Sequence, residues 1–173
     1  MFKEINILRQ FFEYPSTEFN IREIARILNI APATASKELS KLAEKGILIE
    51  RMYKNLKLYK ANLEDDYFTD LKIFYNIRKI KDLKLIEELN KFYLKPTIIL
   101  FGSASQGLDA EDSDFDILII SENQKIIDLN AFERKLNRRL QLFVVNQLKD
   151  INNNHLINSI LNGIVIQGEL IWN

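Results

Sequence analysis

The chain has 173 residues, 47% of them hydrophobic, with 24 Lys and Arg balanced by 24 Asp and Glu and no cysteine. That length and apolar content allow one domain or two small ones with buried cores, and we read two; the lack of cysteine excludes a disulfide framework, a thiolate metal site and a thiol nucleophile. The stretch MFKEINILRQFFEYP carries Lys3, Glu4, Arg9 and Glu13 and no long apolar run, so it reads as neither a signal peptide nor a membrane span, and a cytoplasmic protein is expected. Charge is uneven along the chain: residues 1–60 hold 11 Lys and Arg against 7 Asp and Glu, an excess of four, and the remainder carries the matching deficit. A basic first part and an acidic second part follow.

FNIREIARILNI predicts a short helix capped by Asn20, with Glu23 completing a capping box and Ile21, Ile24, Ala25 and Leu28 forming its apolar stripe. APATASKELSKLAEKG predicts a second helix, with Pro32 in its first turn and Gly46 at its end. Helical spacing puts Ala35, Leu39 and Leu42 on one face and Ala33, Lys37, Ser40 and Lys41 on the other, with Thr34 and Ser36 at the flanks. ILIERMYKNLKLYKAN then gives two β-prone runs, Ile47–Met52 and Leu56–Lys60, around a Tyr53-Lys54-Asn55 turn.

Helix, turn, helix and basic hairpin, in that order, resemble the winged helix-turn-helix family from about Ile5 to Ala61, including the passage LSKLAEKGILIE. The resemblance implies double-stranded DNA as a partner, the second helix in the major groove and the wing on phosphate. Thr34 and Ser36 would then stand near bases, Lys37 and Lys41 beside the groove, and Lys54 and Lys57 on the wing. A protein-interaction module is the alternative use of the same fold. No Arg, Asn or Gln stands on the outward face between Ala31 and Lys45, so the usual bidentate base readers are missing and sequence preference is expected to be modest or to depend on DNA shape.

Residues 62–95 contain no Gly or Pro and carry Phe68, Leu71, Phe74 or Tyr75, Leu83, Ile86, Leu89 and Phe92 at helical spacing. Two helices meeting near Lys79 to Asp82 are expected, their stripes packing the two domains together.

In IILFGSASQGLDAEDSDFDILII an apolar run ends in Gly102-Ser103, a polar loop follows, and Asp114-Phe115-Asp116 opens a second apolar run. Side chains alternate along a strand, so Asp114 and Asp116 point to one side and repel each other unless a cation intervenes; magnesium, which takes oxygen ligands and phosphate together, is the expected ion. Gly102 would let a phosphate approach the backbone at a helix start, where the Ser103 hydroxyl can bond to it. Asp109, Glu111 and Asp112 read as a solvated loop, His155 as a surface residue and Trp172 as a packing residue.

Gly102-Ser103, ten residues and Asp114-x-Asp116 resemble the signature of the minimal nucleotidyltransferases, a branch of the DNA polymerase β-like superfamily, and the likeness runs from about Thr97 through LNGIVIQGELIWN. It implies a mixed-sheet α/β domain that binds a nucleoside triphosphate with magnesium and transfers the nucleoside monophosphate to an acceptor hydroxyl. Asp114 and Asp116 would be catalytic metal ligands, and Gly102 and Ser103 would bind nucleotide. Members often stand beside a small helical partner protein in toxin–antitoxin pairs. The chain departs from the pattern at Gln141, where a third carboxylate is usual, and at Gln106, where a basic residue is common; Arg138 or Arg139 could offset the second loss. Gln141 is the one polar residue in an apolar strand, LQLFVV, and is expected beside Asp114 and Asp116.

The fold expected is therefore α+β: a winged helix-turn-helix over 1–61, a helical connector over 62–95 and a small nucleotidyltransferase-like domain over 96–173. The function expected is a DNA-binding nucleotidyltransferase, with a catalytically inactive regulator that senses nucleotide or binds a partner as the alternative. A homodimer is left open.

Overall fold

The computed structural model describes residues 3–170. They form two compact units that part after Lys72, inside the long helix α4 (Asp66–Asp82).

In the first unit, α1 (Lys3–Glu13), α2 (Ile21–Leu28) and α3 (Pro32–Glu44) accompany a three-stranded antiparallel sheet. The Asn20 capping box forms as expected: Asn20 Oδ1 accepts from the amides of Arg22 and Glu23 at 2.9 and 3.0 Å, and Glu23 Oε2 accepts from the Asn20 amide at 2.8 Å. α3 starts at Pro32, buries Ala35, Leu39 and Leu42, and ends ahead of Gly46, which supplies the left-handed turn at φ +78°. β2 (Leu48–Tyr53) and β3 (Leu56–Ala61) form the basic hairpin, joined by Lys54 and Asn55. A two-residue strand absent from the sequence reading, β1 (Phe19–Asn20), pairs with β3 and makes the sheet order β1-β3-β2. Leu8, Phe11, Phe12, Ile24, Leu39 and Tyr59 fill the core, with Phe11 edge-on to Phe19 at 5.5 Å. Ser40, expected to face outward, instead stands 3.3 Å from the buried Tyr59 hydroxyl.

In the second unit, α5 (Leu85–Tyr93), β4 (Thr97–Phe101), α6 (Ser103–Gln106), β5 (Phe115–Ile120), α7 (Asn130–Leu136), β6 (Leu140–Val145), α8 (Asn154–Leu161) and β7 (Ile164–Gln167) follow in order. The helical junction lies at Leu83 and Lys84, one step beyond the expected place. The sheet order is β6-β5-β4-β7, with β4 antiparallel to both neighbours and β5 parallel to β6. This is the expected mixed sheet. A parallel pair needs a crossover, and the segment carrying α7 supplies it. Alternation along the strands gives two cores: Ile98, Leu100, Phe115, Ile117 and Ile119 pack with Ile80, Leu85, Leu89, Tyr93 and Leu136, while Ile99, Phe101 and Leu118 pack with Leu148, Ile151 and Ile160. Each such side chain contributes about 1.5–3 kcal/mol on burial, so the sheet's position between these layers is strongly set. His155 is exposed, as expected, and Trp172 lies outside the described residues. Among the described residues no helix is long and apolar enough to cross a membrane.

Candidate functional site

Asp116 is the second residue of β5 and pairs with Phe101 at the end of β4, so the chain leaves β4 through Gly102 directly against the Asp116 carboxylate. Gly102 has φ +70° and ψ −159°, a conformation essentially reserved for glycine. A Cβ added there would lie 2.3 Å from Asp116 Oδ2. Glycine is therefore required twice, by backbone and by contact. The turn is closed by a serine the sequence reading passed over: the Ser105 hydroxyl donates to the Gly102 carbonyl at 2.8 Å, and its amide to the same oxygen at 3.2 Å. α6 is a single turn and ends at Gly107. Ser103, at its start, is half-buried.

Burial, reinforced by the negative charge of Asp114, pushes the Asp116 carboxyl above its ordinary range. The loop that delivers Asp114 is anchored from inside at Asp109. Asp109 is buried, accepts from Asn76 Nδ2 at 2.8 Å and lies 3.7 Å from Arg138 Nη1, the two side chains of the ion pair being 2% and 4% exposed. Asn76 also donates to the Ala104 carbonyl at 3.0 Å, and Arg138 Nη1 donates to the carbonyls of Ala110 and, at 3.2 Å, Ser113. Ser113 adjoins Asp114, and its hydroxyl accepts from the Ala110 amide at 2.8 Å. The expectation of a solvated Asp109 fails because a partner 29 positions later reaches back into the loop; Asp112 is exposed, as expected.

On the other side of β5, Asp116 pairs with Gln141 and Phe115 with Leu140, while the Phe115 amide donates to the Arg139 carbonyl at 2.9 Å. In a parallel pair in this register, directly paired residues share a face. Gln141 therefore stands beside Asp116, where the sequence reading expected it. Among the described residues no group of three or more His, Cys, Asp or Glu gathers. The donor set is two carboxylates with a neutral amide alongside, which fits magnesium: that ion commonly takes one or two carboxylates and completes its shell with waters and phosphate oxygens.

In the first unit Lys37 and Lys41 are exposed on α3, and Lys54 and Lys57 on the hairpin. Lys57 is 2.7 Å from Glu50, which raises the lysine's pKa and lowers the glutamate's, while Lys54 lies over the Tyr53 ring at 5.5 Å. Ser36 and Lys57 line one groove of about 790 Å³ together with Arg22, Arg26, Asn55 and Leu56. Thr34 is not part of it; it lines a recess of about 320 Å³ beside Asn6, Arg9 and Leu28. The sequence reading overlooked Arg22 and Arg26, which recur four residues apart on one face of α2 and are exposed; that spacing was the available signal.

Residues 83–165 match the family described as nucleotidyltransferase domain. The match spans α5 through the first residues of β7 and contains Gly102, Ser103, Asp114, Asp116 and Gln141. It supports the nucleotidyltransferase superfamily for this segment, and with it nucleoside monophosphate transfer in general. No curated protein matches the chain significantly.

Proposed function

We propose that the second unit binds a nucleoside triphosphate with magnesium at Asp114 and Asp116 and transfers the nucleoside monophosphate to an acceptor hydroxyl, in a protein whose first unit is a winged helix bound to duplex DNA. The observation that carries the nucleotide reading is the half-buried Asp116 carboxylate packed directly over Gly102, with the charge of Asp114 acting on it: a cation brought to that point would meet two acids at the end of the sheet. Magnesium held there would offset the charge of the acids and the phosphates. Asp114 and Asp116 hold the ion, Gly102 leaves room for the Asp116 carboxylate against the backbone, and Ser103 offers a hydroxyl to the triphosphate. The acceptor oxygen forms a bond to the α-phosphorus as the bond to pyrophosphate breaks, and the hydroxyl proton passes to solvent.

The acceptor we favour is a hydroxyl on a partner protein, as in a toxin–antitoxin pair. Incubation of the chain with labelled nucleoside triphosphates and candidate partner proteins is expected to label the partner only when magnesium is present. A second reading, a nucleotide-sensing regulator without transfer, is favoured by one observation: the neutral Gln141 occupies the position beside Asp116. An amide cannot act as a base. Nucleotide binding without label transfer to any acceptor would select it.

The DNA reading is supported by the order of α2, α3 and the basic hairpin and by the exposed cations on them. Arg22 and Arg26 join Lys37, Lys41 and Lys54 as phosphate contacts, with Thr34 and Ser36 nearer the bases. Replacing Lys37, Lys41, Lys54 and Lys57 by Ala is expected to weaken duplex binding and to lower the salt slope by about one for each phosphate no longer neutralised. Lys57 contributes least, because Glu50 already engages it. Fluorescence anisotropy across a salt series checks this, and unchanged affinity would make the first unit a protein-interaction module.

A further inference from the structure

Two adjacent arginines end the crossover into β6, and the fold gives them different surroundings. Arg138 is buried and turned into the loop, where Asp109 and two carbonyls take up its guanidinium. Arg139 is exposed, and its side chain makes no ion pair or hydrogen bond among the described residues. The register decides where Arg139 stands: the ladder begins with Phe115–Leu140 and Asp116–Gln141, so Arg139 immediately precedes it on one chain segment and Asp114 on the other. The Phe115 amide donates to the Arg139 carbonyl, which holds the Arg139 backbone beside the start of β5. Burial alternates through Arg138, Arg139, Leu140 and Gln141 as the chain enters β6, and through Asp114, Phe115, Asp116 and Ile117 as it enters β5. Gln141 thus shares the face of Asp116, and Arg139, exposed like Gln141, stands at the same end of the sheet as Asp114.

We propose that Arg139 is the side chain that grips the polyphosphate of the nucleotide at this site, an inference that rests on the reading of Asp114 and Asp116 as its metal-binding acids. A triphosphate brought to two carboxylates meets like charge on like charge. One metal ion bridges them but leaves further phosphate charge unmatched. A guanidinium presents a planar fork of donors that fits phosphate oxygens in pairs, and one without a protein partner is free to do so. Gln106, just before Gly107, supplies no charge, so the cation comes from the residue that leads into β6.

The test uses the full chain and two probes that need no choice of base: manganese ion alone, followed by electron paramagnetic resonance, and inorganic tripolyphosphate with magnesium, followed by calorimetry. Arg139→Ala is expected to weaken tripolyphosphate binding about tenfold or more, with Arg139→Lys between it and the parent. Manganese alone is expected to bind Arg139→Ala as tightly as the parent or more tightly, because a neighbouring positive charge has gone. These opposite signs are not what damage to the fold would give. Unchanged tripolyphosphate affinity with manganese binding intact overturns the role of Arg139 and leaves the acid site standing. Loss of both ligands in Arg139→Ala also overturns it, since Arg139 would then act through the fold. A parent chain that binds neither probe overturns the reading of the acids, and the proposal with it.

Discussion

Replacing Arg138 by Met is expected to destabilise the second unit by about 3–5 kcal/mol, because removing one member of a buried ion pair leaves the other charge uncompensated. Asp109 keeps the hydrogen bond from Asn76 but loses the facing guanidinium, and the carbonyls of Ala110 and Ser113 lose a donor. The double variant Asp109→Leu with Arg138→Met is expected to recover the part of that loss due to the unpaired charge, while the Ala110 and Ser113 carbonyls and Asn76 remain short of a partner. Urea denaturation of the parent, both single variants and the double variant closes the cycle. A single variant within about 0.5 kcal/mol of the parent would mean that the loop before Asp114 does not depend on this pair.

Converting both acids of the site, Asp114→Asn with Asp116→Asn, is expected to raise the melting temperature at neutral pH in the absence of divalent ions. Asp116 in the folded unit holds its proton to a pH above the ordinary 3.8, first through burial and then through Asp114. The folded chain therefore binds this proton more tightly than the unfolded chain does. Stability from the group is fully present below pH 3.8 and falls as pH rises through the raised value, where an ionised carboxylate must be kept against the fold. The Asn pair escapes that loss, so the gap between variant and parent widens from pH 3.8 upwards and then levels off. Magnesium narrows it, by stabilising only the parent. Melting curves across pH, with and without magnesium, check both trends. A parent whose stability relative to the variant does not change with pH would contradict the repulsion between the acids.

Much of the fold was legible because it rests on short-range rules. The Asn20 capping box, Pro32 at the start of α3, Gly46 beyond its end and the lysine-rich hairpin each depend on neighbours within a few residues. The pairing of Asp114 with Asp116 was legible for the same reason, since strand alternation needs no tertiary knowledge. Gln141 could be set beside them because a polar residue in LQLFVV stands out against its apolar neighbours. What the sequence hid depends on distant partners. Asp109 looks like any loop acid until Asn76 and Arg138 close around it, and Ser40 looks outward until Tyr59 arrives from β3. β1 is two residues long, too short to carry a period. Thr34 and Ser36, legible as the two flanks of α3, line separate recesses because successive helical positions are rotated by about 100°; which neighbours complete those recesses was not legible.

If Asp114 and Asp116 hold a metal-bound nucleotide against Gly102, calorimetric titration of the common nucleoside triphosphates into the full chain reveals it most directly. The titrations run with and without magnesium, alongside the variant Asp114→Asn with Asp116→Asn. At least one triphosphate is expected to bind the parent in a magnesium-dependent manner, and the double variant, still folded by circular dichroism, to bind it on the order of a hundredfold more weakly. Equal affinity of the two proteins for that nucleotide would contradict the assignment.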